Sequence, residues 1–326
     1  MKRSLSIVIP NYNGKHLLEA YLPSVIVAAE ETGLPYEIII VDDASADGSK
    51  DFVRKAYPQI SLLENPINQG FSYTCNRGIQ AALFSHILLL NSDVKLSPDY
   101  FKAQWHYFDL KDTFGVMGRI MTADGSKIED AARLLEFSGC RIKASRFFYS
   151  EDPSSGLLTA YLSGANALID AEKLKLIGGF DEIYSPFSSE DFDLSLRAWQ
   201  LGWKCYYEHQ SVCFHQVSGS TRTQLKSDFI KKVYYRNRFI LQKIHLRGLR
   251  GFFLPAQLLL TEVIPKILLG KKWISESYRC YLQESARIRE SRNRLENLQR
   301  RLKHVSLAEV AGQISASASA PGVREI

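Results

Sequence analysis

Along the first quarter of the chain, apolar and polar positions alternate between two periods. Leu5 to Pro10 is a short apolar run that stops at Pro-Asn-Tyr-Asn-Gly, residues with loop chemistry. From Lys15 to Thr32 apolar residues recur at helical spacing: Leu17, Leu18, Tyr21, Leu22 and Val25. Glu37 to Val41 is an unbroken β-branched run, as expected of a strand buried on both faces, and ends at Asp42-Asp43. Asp47-Gly48-Ser49 opens a second helix to about Tyr57, Ile60 to Leu63 is a third strand, and Phe71 to Leu83 is a third helix. His86 to Leu90 is a fourth strand, ending at Asn91-Ser92-Asp93.

Repeated strand–helix alternation predicts an α/β fold with a mostly parallel sheet flanked by helices. Right-handed crossovers put all the carboxyl ends of such strands on one edge, where ligands bind. Asn11, Asp42, Asp43, Asn65, Asn68, Asn91 and Asp93 all fall at those ends and are expected to converge. Between about Gly125 and Ala160 the pattern weakens and reads as a loop-rich insertion. Short helices follow at Ala171 to Ile177 and at Ser189 to Leu201, each stopped by glycine, and short strands at Lys204 to Tyr207 and Val212 to Phe214. Beyond Thr223 the chain reads as helical. The expected organisation is an α/β domain over 1–222, a helical extension over 223–305, and a disordered low-complexity tail over 306–326.

Composition changes this picture little. At 326 residues, with 45% hydrophobic and 23% charged, the chain can bury a sizeable core. The net charge of +6 is weighted towards the basic stretch after about Lys226, which suggests an anionic surface or a solvated helical face. That stretch lacks the aromatic interleaving of an RNA-binding module, so no nucleic-acid partner is expected. The five cysteines form no CxxC pair and read as reduced thiols of a cytosolic protein. The apolar run after MKRSLS is too short for a signal peptide.

Two constellations and one histidine carry candidate chemistry. Asp42-Asp43 and Asn91-Ser92-Asp93 follow strongly apolar strands. A hard divalent cation asks for such oxygen ligands, although the same residues also serve as turn and helix caps. Gly178-Gly179-Phe180-Asp181-Glu182 precedes Ser188-Ser189-Glu190-Asp191-Phe192-Asp193. Ser188 or Ser189 can cap a helix that carries Glu190 and Asp191 in its first turn, where an ionised carboxylate is favoured and could serve as a general base. Placement for the helix dipole explains the same charges. His215 follows the strand-like VCF; alone it reads as structural, but with one carboxylate it could complete a metal site.

Taken in order, IVIPNYNG (7–14), VDDASADGS (41–49), NQGFSYTCNRGI (68–79), LLLNSDV (88–94), SGAN (163–166), GGFDEIYSPFSSEDFDLSLRAWQLGW (178–203) and HQVSGST (215–221) resemble the bacterial family 2 glycosyltransferases of the GT-A fold, near the rhamnosyltransferase-like branch. The resemblance implies a GT-A domain with a C-terminal helical extension and an inverting transfer from a UDP- or dTDP-sugar to a hydroxyl of a glycan or lipid-linked glycan acceptor, as in cell-surface polysaccharide synthesis. It implies that Asp191 is the base with Glu190 beside it. Pro10, Tyr12, Asp42, Asp43, Gly70, Phe71, Asn76, Asn91 and Ser92 are then nucleotide-binding, with Asp42 accepting from N3–H of the base. Ser163, Gly164 and Ala165 lie near the donor sugar, and Asp93 and His215 hold Mg²⁺ or Mn²⁺. Asn91 departs from the acidic first position of the family's DxD-type motif and leaves fewer charged ligands.

Two rival functions fit the sequence less well. A nucleotidyltransferase would need a Gly-rich, basic loop after the first strand, which PNYNGKHL does not supply. An inactive binding module is disfavoured by the presence of Asp93, Asp191 and His215. In the C-terminal third, FFLPAQLLLTEVIPKILL (252–269) is strongly apolar but is interrupted by Glu262 and Lys266, with Pro255 and Pro265 expected to kink it. Lys243, His245, Arg247 and Arg250 precede it, and Lys271 and Lys272 follow. An interfacial helix, peripheral on the inner face of the cytoplasmic membrane, is one reading; burial against the main domain or a homodimer interface is the other.

Overall fold

The computed structural model describes residues 3–152, 155–216 and 227–326. The Val217 to Thr221 part of the last motif and the 222/223 boundary lie outside them. Three strand–helix units and a fourth strand open the chain: β1 (Leu5–Asn11), α1 (Lys15–Glu30), β2 (Tyr36–Asp42), α2 (Ser49–Ala56), β3 (Ser61–Glu64), α3 (Phe71–Ala81) and β4 (His86–Leu90). They are followed by β5 (Val94–Leu96), β6 (Thr113–Thr122), β7 (Ile128–Asp130), β8 (Leu157–Leu158), β9 (Asn166–Asp170), α4 (Ala171–Leu176), α5 (Glu190–Gln200) and β10 (Lys204–His215).

The main sheet has the order β8-β10-β6-β9-β4-β1-β2-β3, with β5 on β10 and β7 on β6. The β4-β1-β2-β3 half is parallel throughout, and β10 runs parallel to β6. β9 runs antiparallel to both β4 and β6. Ile7, Val8, Ile39, Ile40, Leu88 and Leu89 are buried on both faces of the sheet, as the unbroken apolar runs require.

Three expectations are corrected here. The 125–160 stretch is not merely loop: it folds into short antiparallel strands, among them 136–138 with 141–143, because packing of Phe148, Ile142 and Leu135 outweighs a weak periodic signal. Lys204 to His215 is one strand with an irregularity between Glu208 and Val212, not two strands. The tail is ordered as well.

Five helices complete the chain: α6 (Ser227–His245), α7 (Gly248–Leu268), α8 (Lys272–Gln283), α9 (Ser285–Arg301) and α10 (Leu307–Ala318). A capping box between Ser306 and Glu309 starts α10, and Leu307, Val310 and Ile314 bury at helical spacing. Strand residues Val323–Glu325 then pair with Phe147–Ser150. Val8 of β1 and Ile314 of α10 belong to one continuous core, so the C-terminal helices pack onto the sheet. All five cysteines are free thiols.

Candidate active site

Parallel strand ends build the floor. Asn11 and Asp42 are register partners at the ends of β1 and β2. Because β9 runs antiparallel to β4, its first residue Asn166 pairs with Leu90, which brings Ser163, Gly164 and Ala165 beside Asn91; the Asn91 N–H donates to the Ala165 carbonyl at 3.2 Å. β10 pairs with β5 so that His215 faces Val94, next to Asp93. Residues more than a hundred positions apart in sequence thus meet at one edge.

A cavity of about 710 Å³ opens at this edge. Pro10, Tyr12, Asp43, Gly70, Phe71, Asn91, Ser92 and Asp93 line it, with Ser163, Gly164, Ala165, Glu190 and Asp191. Gly70 has φ +86°, and a Cβ there would lie 3.1 Å from the backbone of Pro186. Only glycine lets α3 begin this close to the loop that leads into α5.

Two residues expected at the nucleotide are placed elsewhere. Asp42 is 0% exposed. Its carboxylate accepts from Asn11 Nδ2 (2.9 Å) and from the Ser45 N–H (2.8 Å), so it braces the strand ends and does not reach the cavity. Asp43 is the one on the wall, accepting from the N–H groups of Gln69 and Gly70, both at 2.9 Å, and from Asn65 Nδ2 at 2.7 Å. Asn76 lines a separate cavity of about 440 Å³, together with Asp181, Arg197 and Arg294. It exchanges two hydrogen bonds with the backbone of Phe180, at 2.8 and 2.9 Å, and so holds the Gly178-Gly179 turn.

Glu190 and Asp191 open α5. No serine side chain caps this helix; Ser188 and Ser189 instead adopt positive φ. Asn237 of α6 holds the preceding loop, its Nδ2 donating to the carbonyls of Tyr184, Phe187 (2.8 Å) and Ser188 (2.9 Å). The expectation that the helix terminus favours ionised carboxylates is outweighed by burial, which raises the pKa of both. For Asp191 the rise is limited by the N–H groups of Phe192 and Gly164 and by the charge of Arg133. Glu190 is pushed up further because Asp191 adds its negative charge, and its Oε2 has no hydrogen-bond partner among the described residues. Burial thus works against the charged form of both carboxylates, and at Asp191 backbone donors and a guanidinium together oppose it.

Asp93 Oδ2 lies 3.4 Å from His215 Nε2, and His215 Nδ1 lies 3.0 Å from Glu129 Oε1. Burial alone would disfavour the imidazolium; Asp93 and Glu129 outweigh it and push the pKa of His215 up to about 9. The same two carboxylates favour any cation at this place. Sequence reasoning missed Glu129, which sits on β7 inside the stretch read as loop, and it missed Arg133 near Asp191. Neither belongs to a motif or follows a period.

Comparison with known proteins agrees with this fold. The family model described as Glycosyl transferase family 2 matches residues 6–178. An N-acetylglucosaminyl-diphospho-decaprenol L-rhamnosyltransferase of Mycobacterium tuberculosis is 25% identical over 245 residues, covering 67% of this chain and 77% of that protein. Among solved structures, Staphylococcus aureus TarS 1–349 in complex with UDP-GlcNAc superimposes with a TM-score of 0.57 at 14% identity, covering 93% of this chain and 90% of that one. GalNAc-T7 with UDP, GalNAc and Mn²⁺ superimposes with a TM-score of 0.57 at 16% identity; it covers 87% of this chain, which spans only 57% of that one. The chain belongs to glycosyltransferase family 2 and has the GT-A fold with a C-terminal helical region.

Proposed function

We propose that the protein is an inverting glycosyltransferase that moves a sugar from a UDP- or dTDP-linked donor to a hydroxyl of a glycan or lipid-linked glycan acceptor. The observation that carries this reading is the position of Asp191: a half-buried carboxylate, held by backbone N–H donors, in the same cavity as Asn91 and Asp93. In that cavity Asp43, Gly70 and exposed Tyr12 would meet the nucleoside, and Ser163 to Ala165 the donor sugar. Asp191 takes the proton from the acceptor hydroxyl as its oxygen attacks the anomeric carbon, and the nucleoside diphosphate leaves from the opposite face. A single displacement inverts the configuration and needs no carboxylate nucleophile.

The side chains near Asp93 fit a divalent cation, Mg²⁺ or Mn²⁺. A carboxylate and an imidazole nitrogen 3.4 Å apart are compatible with one ion, and Glu129 on the other ring nitrogen is the usual outer partner of a metal-bound histidine. Among the described residues no three His, Cys, Asp or Glu side chains surround one point. Asp93 and His215 would thus supply two ligands, and the donor's phosphates and water the rest. When bound, such an ion stabilises negative charge on the departing diphosphate.

The branch and the decaprenol-linked substrate named for the mycobacterial relative favour a lipid-linked acceptor and a peripheral place on the inner face of the cytoplasmic membrane, in cell-surface polysaccharide synthesis. The test is mass spectrometry of products from a panel of UDP- and dTDP-sugars, with NMR of the new anomeric centre. Transfer with inversion, abolished by EDTA and restored by Mn²⁺ or Mg²⁺, is expected. Retained anomeric configuration, or activity indifferent to chelation, overturns the corresponding part.

A further inference from the structure

Helix α7 carries two apolar stripes. Leu254, Leu258 and Val263 face inward and are buried. Leu249, Phe252, Phe253, Leu260, Ile264 and Leu268 face outward; Phe252 is 75% exposed, Leu260 67% and Leu268 81%. Only 22% of the helix's most apolar window is buried, although the helix is long and apolar enough to cross a membrane. The two prolines do not break it. Ahead of Pro265 the Ile264 N–H reaches back five residues to the Leu259 carbonyl, so a π turn over Leu259–Val263 absorbs the irregularity.

The charges follow the same division. Glu262, the one carboxylate of α7, is turned inward, where it pairs with Arg141 and Lys266 and lies 3.6 Å from Arg238. The outward stripe therefore carries no acid. Its ends are bounded by Arg250 on one side and by Lys271 and Lys272 on the other, all exposed. Two basic residues counted from sequence drop out of this margin: His245 is buried against Asp193, and Arg247 pairs with Glu296.

We propose that the outward stripe of α7 is a docking face for an anionic lipid surface, with the helix lying in the membrane plane. It sharpens the peripheral placement proposed above but rests on this helix and not on the transfer chemistry. Spanning is excluded by geometry, because the inner stripe is committed to the protein core and a bilayer-crossing helix would have to expose Glu262 and its partners to hydrocarbon. Lying flat, about 31 Å of helix puts apolar side chains at the acyl boundary and lysine and arginine at the headgroups. A second copy of the chain is a poorer occupant. A two-fold interface meets itself, and pairing these stripes in either direction sets the cationic ends of one helix against those of the other, with no exposed carboxylate on α7 to neutralise them.

The experiment is flotation of the full chain with phosphatidylglycerol vesicles and with phosphatidylcholine vesicles, run beside sedimentation velocity without lipid. Wild type should float with the anionic vesicles, detach in high salt, and not float with neutral ones. The double substitution Phe252→Glu and Leu260→Glu changes only exposed side chains. It should weaken flotation by about tenfold or more per side chain withdrawn, while thermal stability and UDP binding stay unchanged. Wild type that never floats, flotation insensitive to the double substitution, or a dimer dissolved by that substitution in a protein that does not float would each overturn the proposal. Binding that resists both salt and alkaline carbonate would overturn the in-plane geometry. UDP binding is read in solution and does not depend on flotation, so the two readings fail separately.

Discussion

Asp191 and Asp193 stand on the same turn of α5 and meet opposite surroundings. Asp193 points into the core, where it accepts from Tyr184 Oη (2.9 Å), His245 Nε2 (2.8 Å) and Arg197 Nε (2.7 Å). Burial alone would raise its pKa; Arg197 and His245 outweigh burial and hold it at about 2. Arg197 in turn donates to the carbonyls of Ile177 and Gly179, and Gln200 donates to the other nitrogen of His245 at 2.7 Å. Every polar atom in this cluster has a partner, and the cluster ties α6 and the Gly178-Gly179 turn to the helix that carries Asp191. On the cavity side Asp191 has two backbone donors and Glu190 Oε2 has no partner among the described residues. A completed buried network fixes structure; an incomplete one, open to a cavity, is left ready for a substrate.

The sharpest way to break this contrast is to neutralise each carboxylate in turn. Asp191→Asn should lower kcat by ~100- to 10,000-fold with an unchanged melting temperature and unchanged UDP binding, because an amide cannot take the proton. Near-normal turnover would sink the assignment. Asp193→Ala leaves Arg197 buried without its carboxylate and should cost about 3–5 kcal/mol in denaturant unfolding. If that variant is as stable as wild type but inactive, the division of roles is reversed.

Smaller effects are expected at the cation site. Asp93→Ala and His215→Ala should weaken Mn²⁺-dependent UDP binding, measured by calorimetry. Glu129→Ala should weaken it by ~10- to 100-fold by freeing the imidazole to rotate, and Glu129→Gln, which keeps an acceptor, by less. Unchanged Mn²⁺ affinity in the Glu129 variants would make that residue a bystander. The smallest effect is on pH dependence. Burial raises the pKa of Asp191, and the proposed base acts in its ionised form, so kcat should fall on acidification with a midpoint above the ordinary carboxylate range of about 4. Arg133 opposes that rise, so Arg133→Met should move the midpoint further up; a shift in the other direction contradicts the proposed electrostatics.

Much of the site was legible because local rules and topology point the same way. Unbroken runs such as EIIIV and HILLL mark strands buried on both faces, and the residues that end them must share one edge. Which of two adjacent residues faces the ligand was not legible. Both are buried, but Asp42 is held by Asn11 at the paired strand ends while Asp43, one residue past the strand, lines the cavity. Glu129 was invisible because it lies in an irregular stretch and gains meaning only through the register of β6, β7 and β10. In the tail, the low complexity of SASASA masked a helix whose signals were present: Ser306 and Glu309 at capping-box spacing and an apolar stripe at Leu307, Val310 and Ile314.

The sequence by itself determined the α/β alternation, the polar ends of the strands, the acidic start of α5 and the amphipathic character of α7, since each depends on residue types at short, regular separations. Only the tertiary structure decided which carboxylates are satisfied and which are not. His245 reaches Asp193 across 52 residues, Glu129 reaches His215 across 86, and Glu262 is drawn inward by Arg141 across 121. Contacts over such separations arise from the packing of whole elements, and no local pattern in the chain encodes them.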